Sequence, residues 1–342
     1  MRAAAVACAN VALSKYWGKR PGRFNVPAVP SLSVTLDGLS TTTCVAFDET
    51  LVADELWFDG VAAADEPTRR ASELLDRVRD AASVSARARV DTHNDFPTAS
   101  GLASSASGFA ALALAALTAA GRDASREEVS RVARRSSASA ARSVFGGFVE
   151  LPGGLGQDAT DEQADEACVA RQVASAAALP LRMLVCVTTE GEKAVGSTSG
   201  MRETSERSPY YGAWLDVAPR LHAEMMSALE RADLPALGEL AERSALAMHA
   251  SALAAGVAYV SGVTLSLLGA VQALRRGGTG VWATMDAGPH LKAIVDAKDA
   301  DAVANELGAM PGVLRVIHAK PGPVARVLPF DEAIAVARGG LS

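Results

Sequence analysis

Phe96-Pro97-Thr98-Ala99-Ser100-Gly101-Leu102-Ala103-Ser104-Ser105-Ala106-Ser107 is a turn rich in glycine, proline and serine that runs directly into an alanine- and leucine-rich segment. That segment predicts a helix over 102–119. The N–H groups of its first turn have no intrahelical partners, and the helix dipole is positive there, which favours an anion. An ordinary capped helix gives the same pattern, which matches neither the P-loop nor the dinucleotide-binding fingerprint.

Three hydroxyl groups stand at the start of this predicted helix. Ser104, Ser105 and Ser107 can donate hydrogen bonds to a phosphate or help to hold a metal ion. The turn therefore predicts either phosphate binding or simple helix capping.

The composition indicates a globular protein with a large core. The chain has 342 residues, of which 49% are hydrophobic and 21% charged, so we expect two domains. The net charge of −6 argues against a nucleic-acid partner, which would require a basic surface. The apolar segments 3–13 and 102–120 are interpreted as a first strand and a buried helix, with no signal peptide and no membrane partner.

The four cysteines are far apart in the sequence and form no CxxC pair. No histidine lies at metal-ligand spacing from them, so we expect no zinc site. Buried reduced thiols are the simplest interpretation, and they fit a cytoplasmic protein.

The order of the predicted elements indicates an α+β fold with two lobes. Strands dominate the first part of the chain, with helices predicted at 65–82 and from Ser125. Strands and helices alternate after residue 181, which is typical of a second α+β lobe. We therefore expect lobes at 1–178 and 179–342, with 153–166 as an exposed acidic loop.

Polar residues in and after the first strand are candidates for ligand contacts. Lys15 and Lys19 flank Tyr16-Trp17-Gly18, where they either reach an anion or lie in solvent as surface charges. Asn10 lies in an apolar strand, and a buried amide requires hydrogen-bonding partners. It is therefore either a structural residue or a ligand contact.

Arg142 follows a run of serine and alanine and precedes two glycines. A guanidinium can grip a carboxylate or a phosphate with two hydrogen bonds, although an ordinary surface arginine would fit the same pattern. Ser137 and Ser139 either line the same pocket or are weak helix residues.

Asp286 follows an apolar strand and precedes Ala287-Gly288-Pro289. Its carboxylate either caps a helix that begins near Pro289 or takes a proton from a substrate hydroxyl. Ser197 opens a polar turn, 197–201, that either binds an anion or is merely a loop. Phosphate-turn serines, cations and one carboxylate together fit phosphoryl transfer to a hydroxyl.

The segments 9–20 and 25–37 resemble the N-terminal signature of the diphosphomevalonate decarboxylase family, within the GHMP kinase superfamily. The serine-rich turn is similar to that family's phosphate motif. Further matching segments follow in the expected order over nearly the whole chain, at 142–147, 208–211, 248–250 and 285–289. The Lys-Tyr-Trp-Gly-Lys and Asp-Ala-Gly-Pro elements together are far more specific than the turn.

The resemblance implies a GHMP-kinase-like α+β fold of two lobes, with the active site in the cleft between them. It implies a carboxy-lyase of the mevalonate pathway that uses ATP and Mg²⁺ to convert (R)-5-diphosphomevalonate to isopentenyl diphosphate. The 3-hydroxyl would be phosphorylated first, and phosphate and CO₂ would then leave. A cytoplasmic homodimer is implied as well.

The resemblance also implies roles for individual residues. Asp286 would orient or deprotonate the 3-hydroxyl, Lys15 would lie near it, and Arg142 would hold the substrate carboxylate. The ATP phosphates would lie at Pro97, Gly101, Ser104, Ser105 and Ser107, with Ser105 also holding Mg²⁺. The substrate and its diphosphate would lie against Asn10, Tyr16, Lys19, Ser137, Ser139, Arg142 and Ser197.

Two departures from the family pattern bear on the substrate. Ser136 and Ala138 stand where the family usually has glycines, which would reshape the diphosphate pocket. A phosphomevalonate decarboxylase and a mevalonate 3-kinase are therefore alternatives, although Asp286, Lys15 and Arg142 favour a decarboxylase over the kinase. A non-catalytic protein that binds isoprenoid intermediates is a further alternative, from which we would expect loss of the carboxylate or the phosphate turn.

Overall fold

The computed structural model describes residues 1–96, 104–153, 156, 158–191 and 195–339, in which helices pack on a mixed β-sheet. The strands are β1 Arg2–Ala12, β2 Ser31–Asp48, β3 Glu55–Phe58, β4 Val61–Ala62, β5 Arg87–Asn94, β6 Phe148–Leu151, β7 Arg171–Ala174, β8 Leu181–Val187, β9 Val281–Met285, β10 Leu291–Asp296, β11 Arg315–Pro321 and β12 Arg326–Leu328. The helices are α1 Asp65–Ala82, α2 Ser104–Ala119, α3 Arg126–Ser136, α4 Ala140–Ser143, α5 Asp161–Ala167, α6 Ser197–Arg207, α7 Tyr211–Glu230, α8 Leu234–Ala254, α9 Gly262–Arg276, α10 Ala300–Gly308 and α11 Phe330–Ala337.

Strand β2 joins the parts of the sheet, because it pairs antiparallel with β1, β5, β6 and β11. Local composition predicts two strands here, at 31–36 and 41–47, but both are parts of β2. Gly38 lies between them at φ +89°, a left-handed conformation that glycine adopts without strain. The register of β1 shifts between Cys8 and Asn10 at the same level, so the ladder continues through an irregularity.

In the first lobe, α2 packs on β1 and β2 through a face of small side chains. Its buried positions include Ala110, Ala113 and Ala116, whose short side chains let the helix lie close to the strands. The helix ends at Ala119 as predicted, and the predicted start at 102–103 lies outside the described residues. No helix among the described residues is long and apolar enough to cross a bilayer.

The second lobe packs α8 closely on the hairpin formed by β9 and β10. The indole of Trp282 lies against the backbone of α8 at Gly238, where an added Cβ would be 2.3 Å from the ring. The two strands of the hairpin are antiparallel, with Met285 opposite Leu291. The hairpin therefore presents Asp286 directly after β9, in the turn that leads to β10.

The C-terminal segment returns to the first lobe. Strand β12 pairs with β1, and Ala333 and Ala337 of α11 pack against Ala4 and Cys44. The sheet also runs from one lobe to the other through the pairing of β2 with β11. The expected lobes at 1–178 and 179–342 stay a prediction, since β12 and α11 lie with the first part of the chain.

Two segments expected to be loops contain helices. In the acidic segment 153–166, Thr160 and Gln163 exchange the two hydrogen bonds of a capping box, which begins α5. The turn expected at 197–201 is the first part of α6, which is anchored by the buried side chains of Met201 and Thr204. The loop expectation is wrong for 161–166 and for 197–201, because capping and burial outweigh a polar composition there.

The segment that follows β1 is held by the second lobe. Trp214 Nε1 of α7 donates to the buried carbonyl of Trp17 at 2.8 Å. Ser244 Oγ of α8 accepts from Lys15 N at 2.9 Å. Helices α7 and α8 therefore fix the backbone of the Lys-Tyr-Trp-Gly-Lys segment.

We predict that Trp214→Phe lowers the free energy of unfolding by about 1–3 kcal/mol, because the buried carbonyl of Trp17 loses its donor. Urea denaturation followed by circular dichroism measures the change. Trp57→Phe is the matched control, since Trp57 is half-buried and donates only to Glu55. Equal losses in the two variants would contradict the anchoring role of Trp214.

Candidate active site

A cavity of about 840 Å³ has residues of both lobes in its wall. The predicted site residues that line it are Asn10, Lys15, Tyr16, Lys19, Ser104, Ser105, Ser137, Ser139, Arg142, Ser197 and Asp286. Ser107 is buried away from this wall, with its hydroxyl oxygen 2.6 Å from Thr41 Oγ1. Pro97 and Gly101 lie outside the described residues.

Asp286 is clamped between two ammonium groups. Lys15 Nζ donates to Asp286 Oδ1 at 2.6 Å, and Lys292 Nζ lies 2.9 Å from Asp286 Oδ2. The side chains of Lys15 and Lys292 are 2% and 3% exposed, whereas that of Asp286 is 26% exposed. The carboxylate thus opens to the cavity while its two cations are buried. The alternative role as a helix N-cap is wrong, since β10 follows the turn.

Burial and charge set the protonation of this cluster. Burial alone would raise the pKa of Asp286, but the charges of Lys15 and Lys292 hold that pKa far below its usual range. Burial lowers the pKa of Lys15 to about 8, although the charge of Asp286 opposes the change. Asp286 is therefore ionised at neutral pH, and Lys15 loses its proton near pH 8.

Lys292 is a residue that sequence reasoning misses. It is a buried lysine near the start of β10, where its strand neighbours up to Val295 are apolar, and it lies across the hairpin turn from Asp286. A buried ammonium requires a partner, so a lysine in an apolar strand just after Asp-Ala-Gly-Pro is a signal that could reveal it.

Arg142 is positioned by residues of β1 and β2. Its Nη1 donates to Ser31 Oγ at 2.8 Å and its Nε to Asn10 Oδ1 at 3.3 Å. Asn10 Nδ2 donates in turn to Ser139 O at 2.9 Å and to Ser143 Oγ at 2.8 Å, which ties β1 to α4, the helix that carries the arginine. Burial lowers the pKa of Arg142 to about 10, so the guanidinium stays charged at neutral pH.

Two further residues of the Lys-Tyr-Trp-Gly-Lys segment contribute polar groups to the wall. The Tyr16 hydroxyl is buried and has no hydrogen-bond partner within the part of the chain that the structure describes. Burial raises the pKa of Tyr16 well above its usual value, so it stays a neutral donor. Lys19 Nζ donates to Asn25 Oδ1 at 2.7 Å, and burial lowers the pKa of Lys19.

A second cavity of about 250 Å³ adjoins the start of α2. Its apolar lining includes Leu56, Phe58, Val90, Phe109 and Leu112. Ser104 and Ser105 line both cavities, so the first turn of α2 lies between a polar space and an apolar one. A ligand with a phosphate group between a polar and an apolar part would fit here, with the phosphate at the N-terminus of α2.

Two family models match the chain. The diphosphomevalonate decarboxylase-like N-terminal domain matches residues 7–164, and the mevalonate 5-diphosphate decarboxylase C-terminal domain matches residues 183–315. The chain belongs to the diphosphomevalonate decarboxylase family. The predicted family and its two-lobed GHMP-kinase-like α+β fold are confirmed.

Individual members of the family are similar to this chain over most of their lengths. The chain is 34% identical to the diphosphomevalonate decarboxylase of Homo sapiens over 99% of this chain and 90% of that protein. It is 32% identical to the mevalonate diphosphate decarboxylase of Staphylococcus aureus, with a TM-score of 0.89 over 96% and 98% of the two chains. It is 36% identical to the protein chain in the solved structure of MDDEF in complex with MVAPP, AMPPCP and magnesium. The TM-score of that pair is 0.88 over 96% of this chain and 99% of the other.

We predict that Lys15 of this family member titrates with a midpoint near pH 8, and that Asp286→Asn lowers the midpoint, because the carboxylate stabilises the ammonium. The ¹³Cε chemical shift of labelled lysine measures both midpoints, and Lys15→Arg identifies the signal. Removal of the exposed carboxylate in Asp331→Asn is the control, with no shift expected. A midpoint that rises in Asp286→Asn would contradict the observed contact.

Proposed function

We propose that this chain catalyses the ATP-dependent decarboxylation of (R)-5-diphosphomevalonate to isopentenyl diphosphate in the mevalonate pathway of isoprenoid biosynthesis. The observation that carries the proposal is the meeting of Asp286, Lys15 and Arg142 in one cavity with the start of α2. Membership of the family and full-length similarity to members named for this reaction support it. The chain is accordingly a carboxy-lyase that uses ATP and Mg²⁺.

The first step is phosphorylation of the substrate at C3. The 3-hydroxyl oxygen bonds to the γ-phosphorus of ATP, and ADP leaves with the electrons of the broken P–O bond. Asp286 faces the cavity as an ionised carboxylate, so it accepts the hydrogen bond of the 3-hydroxyl and takes its proton as the new O–P bond makes that proton acidic. The ammonium of Lys15 stabilises the negative charge that develops on the oxygen.

The second step is loss of phosphate and CO₂. When the 3-phosphate leaves, C3 becomes cationic, and the electrons of the bond between C2 and the carboxylate form the C2=C3 double bond. Arg142 holds that carboxylate, because Ser31 and Asn10 occupy only part of its five N–H donors. A charged guanidinium in a mostly enclosed wall fixes the orientation of the leaving group.

The residues at the start of α2 fit ATP with Mg²⁺. Ser104 and Ser105 offer hydroxyl oxygens beside the N–H groups of the first turn of α2, with Ser105 as the expected metal contact, and the apolar second cavity suits a nucleotide base. The described residues contain no group of three or more His, Cys, Asp or Glu side chains that could hold a metal ion, so phosphate oxygens would be main ligands. Bound Mg²⁺ supplies positive charge that neutralises the phosphates.

Further polar residues of the wall fit the diphosphate of the substrate. Lys19 contributes a cation, and Tyr16, Ser137, Ser139 and Ser197 contribute hydroxyl groups. A monophosphate would leave part of this set unused, which favours the diphosphate. Ser136 also lines the cavity where the family usually has glycine, so the comparison of the two substrates is part of the test.

We expect the purified protein with Mg-ATP to release ADP and CO₂ in equal amounts from mevalonate 5-diphosphate. Parallel reactions with mevalonate 5-phosphate and with mevalonate should give neither product. Equal release from the monophosphate would establish the phosphomevalonate decarboxylase alternative, and ADP without CO₂ would establish the kinase. Nucleotide binding with no product from any substrate would establish a non-catalytic binding protein.

We predict that Asp286→Asn lowers kcat by several orders of magnitude while the Kd for ATP changes little, because the amide cannot take the 3-hydroxyl proton. Rapid-quench assays and binding of a fluorescent ATP analogue measure the two effects. Asp331→Asn is the control, since Asp331 pairs with Arg2 at the surface. Turnover that survives in Asp286→Asn would refute the role of Asp286 in proton transfer.

We also propose a cytoplasmic location, which is supported by four buried cysteines that form no disulfide. The homodimer implied by the family stays a prediction.

A further inference from the structure

Lys292 is a buried cation of the active site whose function is not accounted for by the roles of Asp286, Lys15 and Arg142. It lies in β10, on the same hairpin as Asp286, and its ammonium is 2.9 Å from Asp286 Oδ2. Lys15 approaches the other oxygen, Oδ1, from the first lobe. Each carboxylate oxygen therefore has its own lysine.

We propose that Lys292 is a positioning residue for phosphoryl transfer: it holds Asp286 ionised and correctly oriented while the 3-hydroxyl oxygen attacks the γ-phosphorus. This inference rests on the proposed function. The step balances, because the hydroxyl proton goes to Asp286, the new O–P bond forms, and ADP takes the electrons of the P–O bond that breaks.

The geometry of the clamp explains how Lys292 acts on orientation. A carboxylate held at one oxygen can rotate about the bond between Cβ and Cγ, whereas one held at both oxygens cannot. Lys15 reaches Asp286 from the first lobe, 271 residues away in sequence, whereas Lys292 belongs to the hairpin that carries Asp286. Lys292 therefore keeps the Asp286 carboxylate oriented whatever the position of the first lobe.

The charge of Lys292 acts on both members of the Asp286–Lys15 pair. Together with Lys15 it opposes protonation of Asp286, and its repulsion adds to the burial that lowers the pKa of Lys15. The other groups that face the pair are Arg142 from α4 and His249 from α8. Burial lowers the pKa of His249 to about 4, so it adds no charge at neutral pH.

The test compares Lys292→Met, which removes the charge at similar volume, with Lys292→Arg, which keeps it. The pH dependence of kcat and the ratio of CO₂ to ADP are measured for both, with Lys298→Met as a control at an exposed lysine. We expect a fall in kcat of about a hundredfold at pH 7 in Lys292→Met, since misplacement of a catalytic group costs about that much. The basic limb of its profile should move to higher pH, and the pKa of the Asp286 carboxyl should rise toward its ordinary value.

The direction of both shifts follows from the removed charge. Without Lys292 the pKa of Asp286 rises, so the ionised carboxylate forms only at higher pH. The pKa of Lys15 also rises, because a repelling ammonium is gone, so its charge persists to higher pH. Lys292→Arg should keep the basic limb and the Asp286 midpoint at their wild-type values.

A merely structural role would lower the melting temperature and kcat but leave the basic limb of the Lys292→Met profile in place, which would overturn the proposal. Titration of the ¹³C carboxyl signal of Asp286 in Lys292→Met gives a reading without turnover, and an unchanged midpoint would also overturn it. If wild-type protein converts none of the substrates, the proposed function fails, whereas this titration still decides the role of Lys292. If Lys292→Met does not fold, a limb displaced in Lys292→Arg overturns the proposal and an unmoved limb in that variant supports it.

Discussion

The ion pair between Lys15 and Asp286 is the constraint on which the arrangement of the site depends. Both groups are largely withdrawn from water, and removing one partner of such a pair leaves an uncompensated charge at a cost of about 3–5 kcal/mol. The pair forms only if β1 brings Lys15 and the β9–β10 hairpin brings Asp286 to the same cavity wall. The bond from Lys15 Nζ to Ala12 O at 2.8 Å and the anchoring of the backbone at Lys15 N by Ser244 keep the ammonium in place. The fold of both lobes is therefore linked to the chemistry through one contact.

The cluster around that pair has more positive than negative charge. Lys15, Lys292 and Arg142 are all buried, and Asp286 is the carboxylate that touches two of them. A protein interior tolerates such an excess poorly, so a polyanionic ligand that neutralises it binds with a large electrostatic gain. A substrate with a carboxylate and a diphosphate has the required charge. The same excess stabilises the alkoxide-like oxygen of phosphoryl transfer, since the cations need no reorganisation when the charge develops.

The elements that could be predicted are those whose signals lie within one short stretch of sequence. Helix α1 occupies the predicted 65–82, and the strand expected at 280–285 is β9, with Asp286 directly after it. Periodicity and capping signals act within one element, which is why such bounds can be read from one segment. Asn10 also shows the limit, because its position in an apolar strand predicts partners but does not distinguish a structural role from ligand binding. Its partners Ser139 and Ser143 lie more than a hundred residues away.

The residues that local patterns do not reveal are buried polar groups with distant partners. Ser14, His222 and Glu150 show why: His222 Nδ1 lies 2.9 Å from Ser14 Oγ, and His222 Nε2 lies 3.0 Å from Glu150 Oε1. Ser14 Oγ also accepts a hydrogen bond from Leu32 N at 2.6 Å, so this hydroxyl joins β2 to the same bridge. His222 thus bridges α7 of the second lobe to β6 of the first and to Ser14, the residue before Lys15. The sequence around each of these residues does not mark it, because the two contacts of His222 span 208 and 72 residues of the chain.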